Sequence, residues 1–165
     1  MNNPYQAPAS DIRLANTVTT DASSPFSRKG RFSRLSYIAW ISIIGFAAQG
    51  FITLAMMALG QTENPMLMLA VTLLFQVPAI VCHAIFTIRR THDIGKGGWW
   101  VALFMIPLIN LYLWFKRGDD GENNFGAPRP TATFEKVIAY IFITLSIVAI
   151  IGGIVAVIAF RQHFL

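Results

Sequence analysis

The sequence predicts an all-α fold, a polytopic bundle of membrane-spanning helices, and its composition and block pattern carry that prediction. Apolar residues make up 55% of the 165 residues and charged residues only 13%, whereas a soluble domain carries about 25% charged residues. The apolar residues fall in four blocks, each near the ~20 residues that span ~30 Å of hydrocarbon. A soluble core of this size could not bury four such blocks, so we expect a multi-pass membrane protein.

The blocks divide the chain into three parts. Residues 1–27 are rich in Asn, Pro, Ala, Ser and Thr, a composition that cannot offset the cost of ordering, so this tail is predicted to be disordered. A membrane domain is expected over 28–130, and a linker with one additional span over 131–165. The four predicted spans cover 35–59, 65–88, 99–115 and 137–160, and Pro107 interrupts the third.

The positions of Lys and Arg predict the orientation. Four basic residues lie just before the first span, at positions 28–34, the turn at 60–64 has none, and the turn at 89–98 has three. Because cytoplasmic loops carry excess Lys and Arg, the N-terminus is expected in the cytoplasm and the protein in a bacterial inner membrane. The loop at 116–136 also carries four Lys and Arg residues; its four acids make it neutral but count little in this rule, so the loop conflicts with four spans. Four spans are favoured because a helix over 99–115 would be ~25 Å long. In the alternative, that block re-enters without crossing.

Composition also bears on partners and cofactors. The net charge of +5 would favour nucleic acid in a soluble protein, but here the basic residues flank apolar blocks, so no nucleic acid is expected. Cys82 is the single cysteine and lies inside a span, and no metal-ligand spacing occurs, so no metal or cofactor is predicted. The spans contain no Asp, Glu, Lys or Arg, which argues against a proton-coupled transporter.

Two spans carry polar stripes. In the second span the stripe falls within about 60° of the helix surface; its members are Thr72, Gln76, His83 and Thr87. The first span has a similar stripe of Ser42, Gly45, Gln49 and Thr53. Small and polar residues mark helix contacts in lipid, so the two faces are expected to meet. The stripe predicts interhelical hydrogen bonds or, as the alternative, the path of a small-solute transporter or channel subunit.

The basic residues beside the spans predict a lipid- or phosphate-binding site, since guanidinium groups suit phosphate. Its candidate residues are Arg31, Arg34, Arg89, Arg90, His92 and Lys96. Trp99 and Trp100 are predicted interface anchors. The favoured function is a non-enzymatic module acting through anionic lipid, a protein partner or a second copy of itself. An enzyme acting on lipid phosphate, with His92 and Asp93 as an acid/base pair, is the third hypothesis, and no other catalytic residue is predicted.

Three motifs occur in one order along the chain. They are Gly30-Arg31-x-x-Arg34-x-x-Tyr37, then Arg89-Arg90-x-His92-Asp93 with Trp99-Trp100, then Gly121-Glu122-Asn123-x-Phe125-Gly126. Together they resemble the bacterial inner-membrane family numbered 805 among the domains of unknown function. The resemblance implies a small helical inner-membrane protein with no established reaction, and it supplies no catalytic residues. It also implies an acidic residue and a tryptophan around Tyr37, where this chain has Ser36 and Ile38.

Overall fold

The computed structural model describes residues 20–60 and 63–164, without the side chains of 103–105, 107–109 and 162–164. Within those residues the chain forms helices and no β-strand. In chain order they are α1 (Arg34–Ala58), α2 (Pro65–Asp93), a 3₁₀ helix (Gly98–Met105), α3 (Pro107–Phe115) and α4 (Thr133–Phe164). The predicted all-α fold is therefore confirmed.

Local sequence explains where the first two long helices begin. The Ser33 hydroxyl accepts a hydrogen bond from the Ser36 N–H at the start of α1. The Asn64 side chain accepts from two N–H groups at the start of α2, and Pro65 occupies the first turn. Both are favoured arrangements, because the first N–H groups of a helix have no partner within it. The starts thus lie within one residue of the predicted spans.

Three of the helices are long and apolar enough to cross a membrane: α1, α2 and α4 as far as Arg161. At 1.5 Å per residue, α1 is about 37 Å long and α2 about 43 Å long, each more than the ~30 Å of a bilayer core. Their outer halves leave large apolar side chains exposed, as expected of helices that face hydrocarbon rather than water. Three helices long and apolar enough to cross a membrane are therefore confirmed, whereas four spans are not.

The third predicted span is broken into two short helices. The 3₁₀ helix is about 16 Å long and α3 about 13 Å long, so neither reaches across ~30 Å. Gly98, at the start of the block, packs on Ile88. Leu113, near its end, accepts a hydrogen bond through its carbonyl from Arg90 Nε at 2.8 Å. Both ends of the block thus lie at the C-terminal end of α2, which is the arrangement of the re-entrant alternative.

The start of α1, the end of α2 and the start of α4 lie together at one end of the bundle, called here the polar end. The packed core lies at this end. One cluster of buried side chains joins α1, α2 and α3 and contains Phe32, Tyr37, Phe86, Ile94 and Leu113. A second joins α1 to α4 through Ile38, Ala39 and Ala139. The second predicted span stops short of the end of its helix: α2 continues five residues beyond 88, because its last turn is buried rather than part of a solvated loop.

The predicted disordered tail meets the described residues only in part. Residues 1–19 lie outside the described residues. Residues 20–27 have a defined position against the end of α2, through contacts to Arg89. The Asp21 N–H also donates to the carbonyl of Pro128, in the loop before α4, at 3.3 Å. Disorder is therefore not confirmed at 20–27, and the reason is the set of contacts to Arg89 set out below.

A buried arginine network as candidate functional site

Asp93 is the centre of a buried ion network at the polar end. Arg31 places Nε and Nη2 each 3.1 Å from Asp93 Oδ1. Arg90, one turn earlier on α2, donates to Asp93 Oδ2. Both guanidinium groups are fully buried and Asp93 is 6% exposed. One carboxylate thus offsets two buried positive charges, an arrangement that is costly to assemble and more costly to break.

The remaining donors of the two arginines go to backbone carbonyls from distant parts of the chain. Arg31 donates to the carbonyls of Asp119, Gly121 and Gly126. Arg90 donates to those of Phe32 (3.3 Å) and Leu113 (2.8 Å), and to that of Lys116. Such carbonyls at helix ends and in loops lack partners within their own segment. The two side chains therefore fix the loop after α3 against the ends of α1 and α2.

Arg89 holds the segment that precedes α1. Its Nη2 lies 3.1 Å from Asp21 Oδ2 and 2.8 Å from Ser23 Oγ, and its Nη1 donates to the Ser24 carbonyl. The guanidinium also lies over the Phe32 ring, 4.3 Å from its centroid. Arg89 is fully buried, so residues 21–32 act as a strap across it.

Asp21 closes this strap onto the chain before α1. Burial by itself raises the pKa of the Asp21 carboxyl. Hydrogen bonds from Ser23 and from the Arg31 N–H, together with the Arg89 charge, lower this pKa by more than burial raises it, so the pKa of Asp21 is below its ordinary 3.8. The strap requires Gly30, which has φ +87° and would place a Cβ 2.0 Å from Asp21 Oδ2. This accounts for the glycine of the first motif.

The loop between α3 and α4 (residues 116–132), called here the glycine-rich loop, also requires a glycine at a close approach. A Cβ at Gly118 would lie 1.9 Å from Asp93 Oδ2, so only glycine lets the loop approach the carboxylate. The Asp119 N–H then donates to the Asp93 carbonyl at 2.8 Å. Asn123 donates to the His92 carbonyl at 2.9 Å. The glycine-rich loop and the end of α2 therefore form one unit, on one side of the molecule.

The other predicted site residues surround the network. His92 stacks on Phe125 with ring centroids 4.0 Å apart, and its Nδ1 lies 3.4 Å from the Gly30 carbonyl. Since Asp93 is engaged by Arg31 and Arg90, the neighbouring His92 and Asp93 side chains bond to different groups rather than to each other. Arg34, Lys96 and Trp99 are exposed, and Trp100 is half-buried beneath the Lys96 ammonium.

A second ionic cluster anchors α4. Glu135 is fully buried. Its Oε1 accepts from Trp40 Nε1 (2.7 Å) and Arg129 Nη1 (2.8 Å), and its Oε2 from Ser36 Oγ (2.8 Å) and the Ala132 N–H (3.0 Å). Glu135 of α4 thus places a carboxylate against Ser36 and Trp40 of α1.

The two polar stripes meet between α1 and α2. His83 Nε2 lies 3.1 Å from the Ile41 carbonyl, and Gly45 faces the same imidazole. Thr87 Oγ1 lies 3.3 Å from the Tyr37 hydroxyl and donates to the His83 carbonyl. Further out, Thr72 and Thr53 donate to carbonyls of their own helices, while Gln49 is exposed and Gln76 half-buried.

Sequence reasoning missed three residues of these clusters: Asp21, Arg129 and Glu135. Each lies outside the motifs. Asp21 is 68 positions from Arg89, and Glu135 is 99 positions from Ser36 and 95 from Trp40, so no motif spacing pointed to these contacts. Asp21 fell in the tail predicted to be disordered, Arg129 at the end of the predicted membrane domain, and Glu135 in the stretch predicted to be a linker. Charge balance was the one signal in the sequence. Buried arginines of the motifs, such as Arg31, Arg89 and Arg90, require carboxylate partners when they lie within an apolar domain.

The arrangement is suited to holding a fold rather than to chemistry. The guanidinium groups of Arg31, Arg89 and Arg90 are enclosed and already bonded to protein oxygens, and no group of three His, Cys, Asp or Glu residues in the described part of the chain could hold a metal ion. Exposed basic side chains form a rim around this buried network. They are Arg28, Lys29, Arg34, Lys96, Lys116, Arg117 and Lys136.

Comparison with known proteins places this arrangement in a family. Residues 25–127 match the family described as "Protein of unknown function (DUF805)". A search of curated proteins and a search of solved structures gave no match. The matched range begins within the strap at Pro25, contains the three arginines, Asp93 and most of the glycine-rich loop, and ends before α4. The chain therefore belongs to the DUF805 family, with α4 as a helix beyond the matched region.

Proposed function

We propose that this protein is a non-enzymatic bacterial inner-membrane module that binds anionic phospholipid at its polar end. The observation that carries the proposal is an apolar groove that ends at an exposed arginine. The groove lies between α1, α3 and α4 and encloses about 480 Å³. Small-molecule sites in proteins commonly enclose 300–1,000 Å³, so the groove can take part of a lipid.

The groove has the two features that a phospholipid requires. Its walls are apolar along their length, formed in part by Ile38, Ile143 and Ile147. Arg34 lines its end at the first turn of α1, where phosphate groups of a bilayer lie. The Arg34 Nη1 donates to the Phe115 carbonyl at 3.3 Å, which orients the guanidinium and uses one of its five donors. An acyl chain would occupy the groove while the phosphate pairs with Arg34.

Burial separates the predicted phosphate-binding residues into two groups. Arg31, Arg89 and Arg90 are fully buried and bonded to protein oxygens, so they shape the polar end. Arg34 and Lys96 are exposed and belong to the basic rim. Each basic residue near an anionic surface contributes about 1 kcal/mol of attraction. The lipid contact we propose is therefore made by the rim, with Arg34 as its specific site.

The membrane topology we propose has three spans and a re-entrant block, with the polar end in the cytoplasm. Eleven Lys and Arg residues occur between Arg28 and Lys136, and the contacts described above gather the segments that carry them at one end of the bundle. The conflict with the positive-inside rule, which arises for four spans, disappears in this arrangement. The C-terminus would then face the periplasm.

Cysteine labelling tests this topology at Asn124, which is exposed in the glycine-rich loop. In an Asn124→Cys, Cys82→Ser protein, we expect an impermeant thiol reagent to leave intact cells unlabelled and to react after permeabilisation. A cysteine in the turn between α1 and α2, at Glu63, serves as the matched external control and should react in intact cells. Labelling of Asn124→Cys from outside would contradict the proposed topology.

Arg34→Gln tests the lipid site. We expect the purified variant to bind phosphatidylglycerol at least roughly tenfold more weakly than the unmodified protein, because a charge-assisted hydrogen bond of about 1.5–3 kcal/mol is lost. The measurement is native mass spectrometry after reconstitution with equal amounts of phosphatidylglycerol and phosphatidylethanolamine.

Arg117→Gln is the matched control, since Arg117 is exposed at the same end and pairs with Asp120 at 2.8 Å, away from the groove. It should retain lipid nearly as well as the unmodified protein. Equal losses in both variants would mean that the rim attracts lipid only through its general charge. No loss in Arg34→Gln would contradict the proposed function.

A further inference from the structure

We infer that a second cavity, deeper among the spanning helices, binds an uncharged amphipathic lipid that carries a hydroxyl or carbonyl group. The cavity encloses about 460 Å³ between α1, α2, α3 and α4. Its lining shares Trp114 with the groove at Arg34, but its described lining residues include no Asp, Glu, Lys or Arg. The inference therefore does not depend on the anionic-lipid site.

The position of the cavity defines how a ligand reaches it. Along α1 it extends from Tyr37 to Gln49, a rise of about 18 Å at 1.5 Å per residue. Phe46, on its wall, is 63% exposed, so the cavity opens sideways between helices rather than towards the polar end. All its α1, α2 and α4 residues belong to spanning helices. A ligand would therefore enter from the hydrocarbon, and an ion or a small polar solute would not.

Polar atoms at several heights of the cavity lack a protein partner. The Trp114 indole N–H is buried with no hydrogen-bond partner in the described part of the chain. His83 Nε2 faces the Ile41 carbonyl at 3.1 Å, so it must carry the proton there, and the neutral imidazole keeps an acceptor at Nδ1. Nothing among residues 20–60 and 63–164 hydrogen-bonds to the Gln49 carboxamide. In hydrocarbon, unpaired groups of this kind are strongly unfavourable.

The chemistry of these atoms selects the class of ligand. An indole N–H donates, an imidazole nitrogen accepts, and a carboxamide does both. A hydroxyl or carbonyl group can satisfy them, whereas a pure hydrocarbon cannot. A carboxylate or phosphate would be buried without a positive partner, at a large desolvation cost. The aromatic walls, which include Phe46 and Phe142, suit the apolar body of the same molecule.

Photolabelling with a diazirine-tagged dodecan-1-ol tests the inference on the full protein in nanodiscs. We expect saturable labelling of the peptides that line the cavity. Excess unlabelled dodecan-1-ol should reduce the labelling roughly five- to tenfold more than excess dodecane, which is the factor expected from one net hydrogen bond. Equal competition by dodecane would overturn the inference, because it would show a cavity that merely fills with hydrocarbon.

Gln49→Leu provides the variant, and Gln76→Leu provides its matched control. Gln49 is exposed and forms no side-chain hydrogen bond with the residues described, so its replacement removes no protein contact. Gln76 lies on α2 outside the cavity lining. We expect Gln49→Leu to reduce the preference for the alcohol over the alkane, with Trp114 and His83 still present, and Gln76→Leu to keep it in full. An unchanged preference in Gln49→Leu, or an equal loss in both variants, would overturn the inference.

Discussion

Asp93→Asn is expected to reduce the free energy of unfolding by about 3–5 kcal/mol, the cost of leaving a buried charge without its partner. The substitution keeps the shape of the side chain and removes its charge. Arg31 and Arg90 are both fully buried, and both lose the carboxylate that offsets them. The measurement is unfolding of the purified protein in mixed micelles titrated with a denaturing detergent.

Asp120→Asn is the control for that experiment. Asp120 pairs with Arg117 at 2.8 Å, but both side chains are more than 70% exposed, and an exposed pair contributes at most about 1 kcal/mol. We expect nearly unchanged stability. If Asp93→Asn were as mild as Asp120→Asn, the carbonyl partners of the two arginines would suffice to hold the polar end, and the carboxylate would have no structural role.

Glu135→Gln is expected to have the second-largest effect, about 1.5–3 kcal/mol, as for hydrogen bonds to a charged group. The carboxylate accepts from four donors, among them Trp40 Nε1 and Arg129 Nη1. A carboxamide keeps one oxygen and faces the remaining donors with an N–H group. The loss should appear mainly where α4 meets α1, measured as weaker disulfide cross-linking between Ala39→Cys and Ala139→Cys in a Cys82→Ser background.

Glu122→Gln is the matched control, because Glu122 is an exposed glutamate in the loop before α4. Cross-linking between α1 and α4 should be unaffected by it. Undiminished cross-linking and stability in Glu135→Gln would show that apolar packing around Ala139 alone holds α4 in place.

The polar end shows how far local pattern carries a prediction. For three helices the apolar runs predicted most of the ends to within a few residues, because a bilayer requires apolar runs of that length. The block after α2 is equally apolar, yet it forms two short helices. Pro107 cannot donate the hydrogen bond that would continue a helix through it, and Arg90 bonds to the carbonyl of Leu113. The pattern showed the break at Pro107 but not the contact that folds the block back.

The motif arginines show the same limit at the candidate site. Their number and position beside the spans indicated a phosphate site. A guanidinium group binds carboxylate and carbonyl oxygens as well as phosphate, so the pattern could not show which of these the arginines meet. In the structure Arg31 meets Asp93, 62 positions further along the chain, and the carbonyl of Gly126, 95 positions away. Burial of this kind depends on which segments meet. The exposed Arg34, in the same motif, has the access that its buried neighbours lack.

The sequence by itself determined an all-helical fold with helices apolar enough to cross a membrane, where the first two long helices begin, and to which family the chain is similar. These properties depend on composition and on residues close together in the chain. Only the tertiary structure decided that the glycine-rich loop joins the end of α2, that Asp21 and Glu135 complete the ion clusters, and that Arg31, Arg89 and Arg90 are enclosed. The physical reason is that a charged side chain takes its role from the oxygens that surround it, and folding brings those oxygens from distant segments.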